Sequence, residues 1–81
     1  MYQKINEPIE AVVIFNGKKV EPVFFKWGNR QYRVKRVNLV HSERQGRDRQ
    51  YIFSVSDDAN AFRLRFSTET LKWTIEETAS L

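Results

Sequence analysis

From about residue 9 to residue 77 apolar side chains recur at every second position, in short runs of Val, Ile, Phe, Tyr and Trp separated by Gly, Asn, Asp or Ser/Thr clusters. Period two puts alternate side chains on opposite faces of a β-strand, so the chain reads as all-β. No window carries the i, i+3, i+4, i+7 stripe with flanking caps that a long helix needs. Asn16-Gly17 is the strongest hairpin signal, because a type I′ turn requires positive φ at both central residues. Closing it with Phe15 opposite Lys18 sets Val13 against Val20, Ala11 against Pro22 and Ile9 against Phe24. A second two-residue loop at Gly28-Asn29 sets Trp27 against Arg30, Phe25 against Tyr32 and Val23 against Val34.

Longer loops organise the second half. A turn over Asp57-Asp58-Ala59-Asn60 sets Val55 against Phe62, Phe53 against Leu64 and Tyr51 against Phe66. A loop over Ser67-Thr68-Glu69-Thr70 then sets Phe66 against Leu71, Leu64 against Trp73 and Phe62 against Ile75. Nine apolar side chains would share one face, and a one-residue slip would turn them all to water.

The chain of 81 residues therefore reads as a single domain of two three-stranded meanders, about 9–40 and 50–77, joined by a loop at 41–50. Ile9, Ala11, Val13, Val20 and Phe24 fall on one face of the first meander. Val12, Ile14, Val23, Phe25, Trp27, Tyr32 and Val34 fall on the other. A sheet apolar on both faces needs cover on both, which points to a small, strongly bent six-stranded antiparallel barrel or half-barrel, SH3-like in scale. The alternative is an open six-stranded sheet with exposed aromatics. The alternation Tyr32, Val34 changes phase to Val37, Leu39 across Lys35-Arg36, which predicts a β-bulge there. Pro22 belongs on an edge or at a bulge.

Composition narrows the chemistry. The chain has no Cys and one His, so neither a disulfide framework, a thiolate zinc site nor a His-rich metal cluster is expected. Its opening residues MYQKINEP carry no apolar core of a signal peptide, and no apolar run is long enough to span a bilayer. A cytoplasmic protein without membrane contact is the expectation. Gly17, Gly28 and Gly46 are too dispersed for a phosphate loop. His41, at the end of the third strand, reads as a rim or satisfied-core residue, and Asp57-Asp58 as a turn stabilised by side-chain bonds to backbone. No catalytic residue, metal site or cofactor is expected, and the chain reads as a non-enzymatic module.

Charge is distributed unevenly. The net charge is +4, yet residues 26–49 carry eight basic and two acidic side chains, and residues 50–81 carry three basic and five acidic. Lys26, Arg30, Arg33, Lys35 and Arg36 surround the second turn, while Arg44, Arg47 and Arg49 line the connecting loop. Arg predominates, and its planar fork binds phosphate bidentately and stacks on bases. Charged strand edges also keep a sheet from pairing with other chains, the plain structural use of the same residues. Trp27 beside the turn is the candidate stacking platform. In the register above, Arg65 faces Lys72 with Arg63 two positions along, a second basic face that a carboxylate such as Glu76, or else a bound anion, must relieve.

The spacing Phe25-x-Trp27-x-x-Arg30-x-Tyr32-x-Val34, followed by Arg47-x-Arg49-x-Tyr51-x-Phe53-x-Val55, Phe62-x-Leu64 and Trp73-x-Ile75, resembles a group of small bacterial proteins of unknown function. It is also similar to the C-terminal tail of ImuB-type proteins, catalytically inactive relatives of the Y-family DNA polymerases of mutagenic repair. That resemblance spans roughly residues 8–77 and implies contacts with partners rather than chemistry, with no catalytic residue to carry over. The linker HSERQGRDRQ lacks the tryptophans the pattern would place there. The expected partner is nucleic acid, with an acidic protein partner as the alternative.

Overall fold

The computed structural model describes residues 2–81. The described residues form seven strands, β1 (Gln3–Asn16), β2 (Lys19–Trp27), β3 (Arg30–Arg33), β4 (Arg36–Gln45), β5 (Asp48–Ser56), β6 (Asn60–Ser67) and β7 (Trp73–Ser80). All pair antiparallel in one sheet of order β3-β2-β1-β7-β6-β5-β4. The sheet bends strongly without closing. β3 and β4 are its two edges, yet only Val34 and Lys35 separate them in sequence. The Val34 N–H donates to Val23 O at 2.9 Å and the Lys35 N–H to Ser56 O at 3.0 Å, so within one step the chain leaves β2 and joins β5. Such a crossing is possible only if the sheet curls until its edges approach each other.

The meanders are unequal. β1 begins six residues earlier than the alternation suggests, pairing through Gln3–Ile9 with β7 and through Glu10–Asn16 with β2. A register shift between Lys4 and Glu7 accommodates the bend, where Asn6 takes a φ of 54°. The expected loop at 41–50 is instead a β4–β5 hairpin closed by Gln45 opposite Asp48. Its residues are polar because both faces of the ladder are wet there, not because the backbone is irregular. The expected bulge at Lys35-Arg36 is the crossing itself, and the register shift lies beyond it, between Val37 and Leu39.

The core is a single cluster of Phe25, Phe53, Val55, Phe62, Leu64, Phe66, Trp73 and Ile75. Ile9, Ala11, Val13, Val20, Trp27, Tyr32, Val34 and Tyr51 pack around it, half-buried. Trp73 lies against Phe53 and stacks on Phe66, at centroid distances of 5.3 and 4.8 Å. Phe25 stacks on Tyr32 at 5.1 Å and meets Phe62 edge-on at 5.0 Å, which ties the first three strands to the other four. The β5–β6 and β2–β3 registers are those read from the alternation. Asp57 anchors the β5–β6 turn, its Oδ1 accepting from Ala59 N at 2.8 Å and Asn60 N at 2.7 Å.

Two registers differ. β1 closes on β2 with Asn16 opposite Lys19 and Phe15 opposite Val20, so the turn is Gly17-Lys18. Only Gly17 has positive φ there, 59°, the arrangement of a type II′ turn. In β6–β7, Phe66 faces Trp73 and Leu64 faces Ile75, while Leu71 stands in the loop at a φ of 61°, exposed. A further shift at Val12/Val13, opposite buried Pro22, turns Phe24 outward while Phe25 and Trp27 point in. Val12, Ile14 and Phe24 consequently form an exposed outer face, while Phe15, paired with Val20, is exposed at the end of the hairpin on the other side. The first meander is apolar on both sides, but only one side is covered.

Candidate nucleic-acid interface

The eight basic residues of the middle segment do not form one patch. Lys26, Arg30 and Arg33 stand on β2 and β3, exposed and without a carboxylate in ion-pair range among the described residues. Cross-strand pairing sets Phe24 opposite Arg33 and Lys26 opposite Gln31 on the outer face. The Arg33 guanidinium lies 5.9 Å from the Phe24 ring centroid, a cation–π contact on a ring that is 43% exposed. Val12 flanks the ring from β1 and Glu10 faces Lys26. One aromatic plane, one guanidinium and one ammonium thus share an open strand surface.

Trp27 is not the free platform that the sequence suggests. Its indole is half-buried, tilts against Tyr32 at 6.2 Å and donates from Nε1 to Glu7 at 3.1 Å. The exposed ring is Phe24, which the alternation groups with Ile9, Ala11, Val13 and Val20; the register shift beside Pro22, where the sequence allows a bulge, separates it from them.

Lys35 and Arg36 occupy the crossing. Lys35 pairs with Asp58, whose carboxyl its hydrogen bond and charge hold below the usual range. Arg36 donates from Nη2 to Asp57 O at 3.4 Å. Both fasten the β5–β6 turn to the start of β4, which leaves them half-committed to structure. Arg44, Arg47 and Arg49 sit at the tip of the β4–β5 hairpin, with Arg44 directly opposite Arg49. Among the described residues no carboxylate is in ion-pair range of them. Like charges at such positions destabilise a ladder. At about 3.3 Å per residue the tip lies roughly 30 Å along β4 from the crossing.

The second basic face is neutralised. Arg65 faces Thr74 rather than Lys72, and it donates to Glu76 at 2.9 Å, to Glu43 at 3.2 Å and to Gln50. Arg63 pairs with Glu77 at 3.0 Å and lies over the Tyr2 ring at 5.7 Å. Lys72 is in the loop before β7. The unrelieved like-charge pair of this sheet is therefore Arg44–Arg49, not Arg65–Lys72. His41 lies 3.6 Å from Glu43 in an open groove of about 220 Å³ on the convex face. Glu10, Glu21 and His41 line three different grooves. Among the described residues no group of three or more His, Asp or Glu is placed to hold a metal ion, and no helix is long and apolar enough to cross a membrane.

Arg65 and Asp48 make the convex face acid-sensitive. The hydrogen bond and charge of Arg65 hold Glu43 below the usual carboxylate range. Asp48 is lowered first by the Gln50 side-chain amide and then by Ser67, whose hydroxyl donates to it at 2.9 Å. Carboxyls lowered by folding contribute stability that is fully present above their unfolded values and lost as pH falls through the folded ones. Urea midpoints should accordingly fall as the pH is taken from about 7 to about 3. Arg65→Met, which keeps an aliphatic cover over buried Ile52, should cost about 1 kcal/mol at neutral pH, because the bonds to Glu76 and Gln50 are lost and Glu43 and Glu76 are left facing each other. It should also lose less on acidification than the parent, since its Glu43 no longer favours the charged form. An equal loss in both proteins would show that Arg65 does not set the acid response.

No family model, no curated protein and no solved structure matches the chain, so the likeness to the tail of ImuB-type proteins rests on the sequence pattern alone.

Proposed function

We propose that the protein is a non-enzymatic binding module that holds single-stranded nucleic acid against the outer face of β2 and β3. The carrying observation is the exposed Phe24 ring with Arg33 over it and Lys26 beside it. An unpaired base stacks on such a ring without regard to sequence, and the neighbouring cations take the phosphates on either side. A base within a duplex cannot reach the ring. Arg30, paired with Trp27 and so on the opposite face of β3 from Arg33, stands outside this surface, and the Arg44, Arg47 and Arg49 tip supplies a second, distant attraction for phosphate. The likeness to a DNA-repair tail is compatible with an accessory role in repair, where single strands are exposed.

Fluorescence polarisation with labelled single- and double-stranded oligonucleotides at low salt tests the reading. Single strands should bind at micromolar protein, with a log–log salt slope of about −1.4 for the two phosphates that Lys26 and Arg33 take. Phe24→Ala should weaken single-strand binding about fivefold or more with little change in slope, because stacking contributes about 1–3 kcal/mol per base. The absence of any signal for either probe at micromolar protein would overturn the assignment.

A further inference from the structure

β2 and β4 each leave one edge unpaired, and both edges border the same groove. Along Lys19–Pro22, β2 has β1 on one side and no strand on the other, since β3 pairs only from Phe24 onward and the Val34 bond reaches no further than Val23. β4 has β5 on one side and an open edge along its whole length. Between them lies an open groove of about 500 Å³, ended by the crossing at Val34-Lys35. Val20, Pro22, Val34, Val37 and Val40 give it an apolar lining. Lys19 and Arg36 against Glu21 give it a basic rim, with Lys35 already paired to Asp58.

We propose that this groove takes an extended segment of a partner protein, with apolar residues alternating with acidic ones, which adds as a strand to β4 and fills the gap the sheet leaves beside β2. A long, exposed edge with apolar side chains is a template for pairing. Here Val37, Leu39 and Val40 are exposed in mid-strand, Leu39 by 58%, while the charges that guard an edge lie towards the ends of β4. Main-chain bonds to the edge supply affinity, and alternate side chains of the added strand would enter the valine-lined floor. The rim selects acidic residues for the remaining positions. A second copy of this chain would bring a β4 that carries Arg36 and Arg44 against Glu43 alone, so its charge does not match the basic rim. Nucleic acid would find no aromatic ring among the groove residues on which to stack a base.

The test is an amide NMR titration of the full chain with three acetylated, amidated probe peptides. One alternates Val with Glu, one Val with Lys, and the third is the Glu peptide N-methylated at alternate residues. Backbone resonances of Lys19–Val23 and Val37–His41 should move with the Glu peptide, at an affinity about tenfold or more above that of the Lys peptide. N-methylation should abolish the shifts, and Arg36→Glu, on an exposed side chain, should weaken the Glu peptide about tenfold. Equal binding of the Glu and Lys peptides, or indifference to N-methylation, would overturn the proposal. So would protein-concentration-dependent shifts of the same amides without peptide, which would assign the edge to a second copy. Displacement of the Glu peptide by an oligonucleotide at those amides would assign the groove to nucleic acid instead. Oligonucleotide shifts confined to Phe24, Lys26 and Arg33 leave this groove to the peptide, so the two surfaces succeed or fail separately.

Discussion

Phe25→Ala should remove a large share of the protein's stability and lower its urea midpoint sharply. Truncating a buried Phe costs about 3–5 kcal/mol, and a chain of this size is stable by only about 4–12 kcal/mol in total. Phe25 is 2% exposed and joins Tyr32 on its own half of the sheet to Phe62 on the other. The cavity would open where the two halves meet, and no neighbouring element can collapse into it without flattening the bend. Urea unfolding followed by tryptophan fluorescence would measure it. The control is Phe24→Ala one position away, which removes an exposed ring and should shift the midpoint little. A loss at Phe25 no greater than at Phe24 would mean that the two halves are not held by this contact.

The second large effect concerns binding. Lys26→Glu with Arg33→Glu should reduce single-strand affinity by on the order of 100-fold at low salt, since each change removes a phosphate contact and installs a repulsion. Thermal unfolding should shift only slightly, chiefly because the carboxylate introduced at position 26 would face Glu10 across the β1–β2 ladder. Arg44→Glu offers the contrast. It converts the opposed Arg44–Arg49 pair into an attractive one and should stabilise the hairpin by about a few tenths of a kcal/mol, while reducing affinity far less than the double reversal. Comparable affinity losses at the two places would move the interface from the β2–β3 face to the hairpin.

Which features could be read from the sequence follows from what period two can distinguish. Tyr51, Phe53 and Val55 against Phe66, Leu64 and Phe62 could be read, because the Asp57–Asn60 turn fixes the hairpin and burial forbids a one-residue slip. Next to their turns the β1–β2 and β6–β7 pairings differ from the reading by two positions, and beyond the register shifts at Val12/Val13 and Arg63/Leu64 they differ by three. A slip of two keeps every side chain on its own face, so the alternation is silent about it and turn geometry decides. β4 was half hidden because a ladder with both faces wet carries no hydrophobic signature beyond His41. The candidate interface was legible as charge and illegible as geometry. The sequence marked Lys26, Arg30 and Arg33, but the bulge beside Pro22 exchanged the roles of Phe24 and Trp27. The two carboxylates on Arg65 come from strands β4 and β7, far apart in sequence, and only the sheet order brings them together.

The pairing of β1 with β7 has a consequence for how the molecule assembles. The most sequence-distant strands of the chain lie side by side in the middle of the sheet, with Gln3 opposite Thr78, while its two edges are near neighbours in sequence. The local hairpins can form early, but the seam that unites them closes only after the largest loop has been ordered, so its entropy is recovered last. During synthesis β1 must wait for β7 with half its length unpaired. Loss of β7 would divide the sheet at its centre, whereas loss of an edge strand would only narrow it.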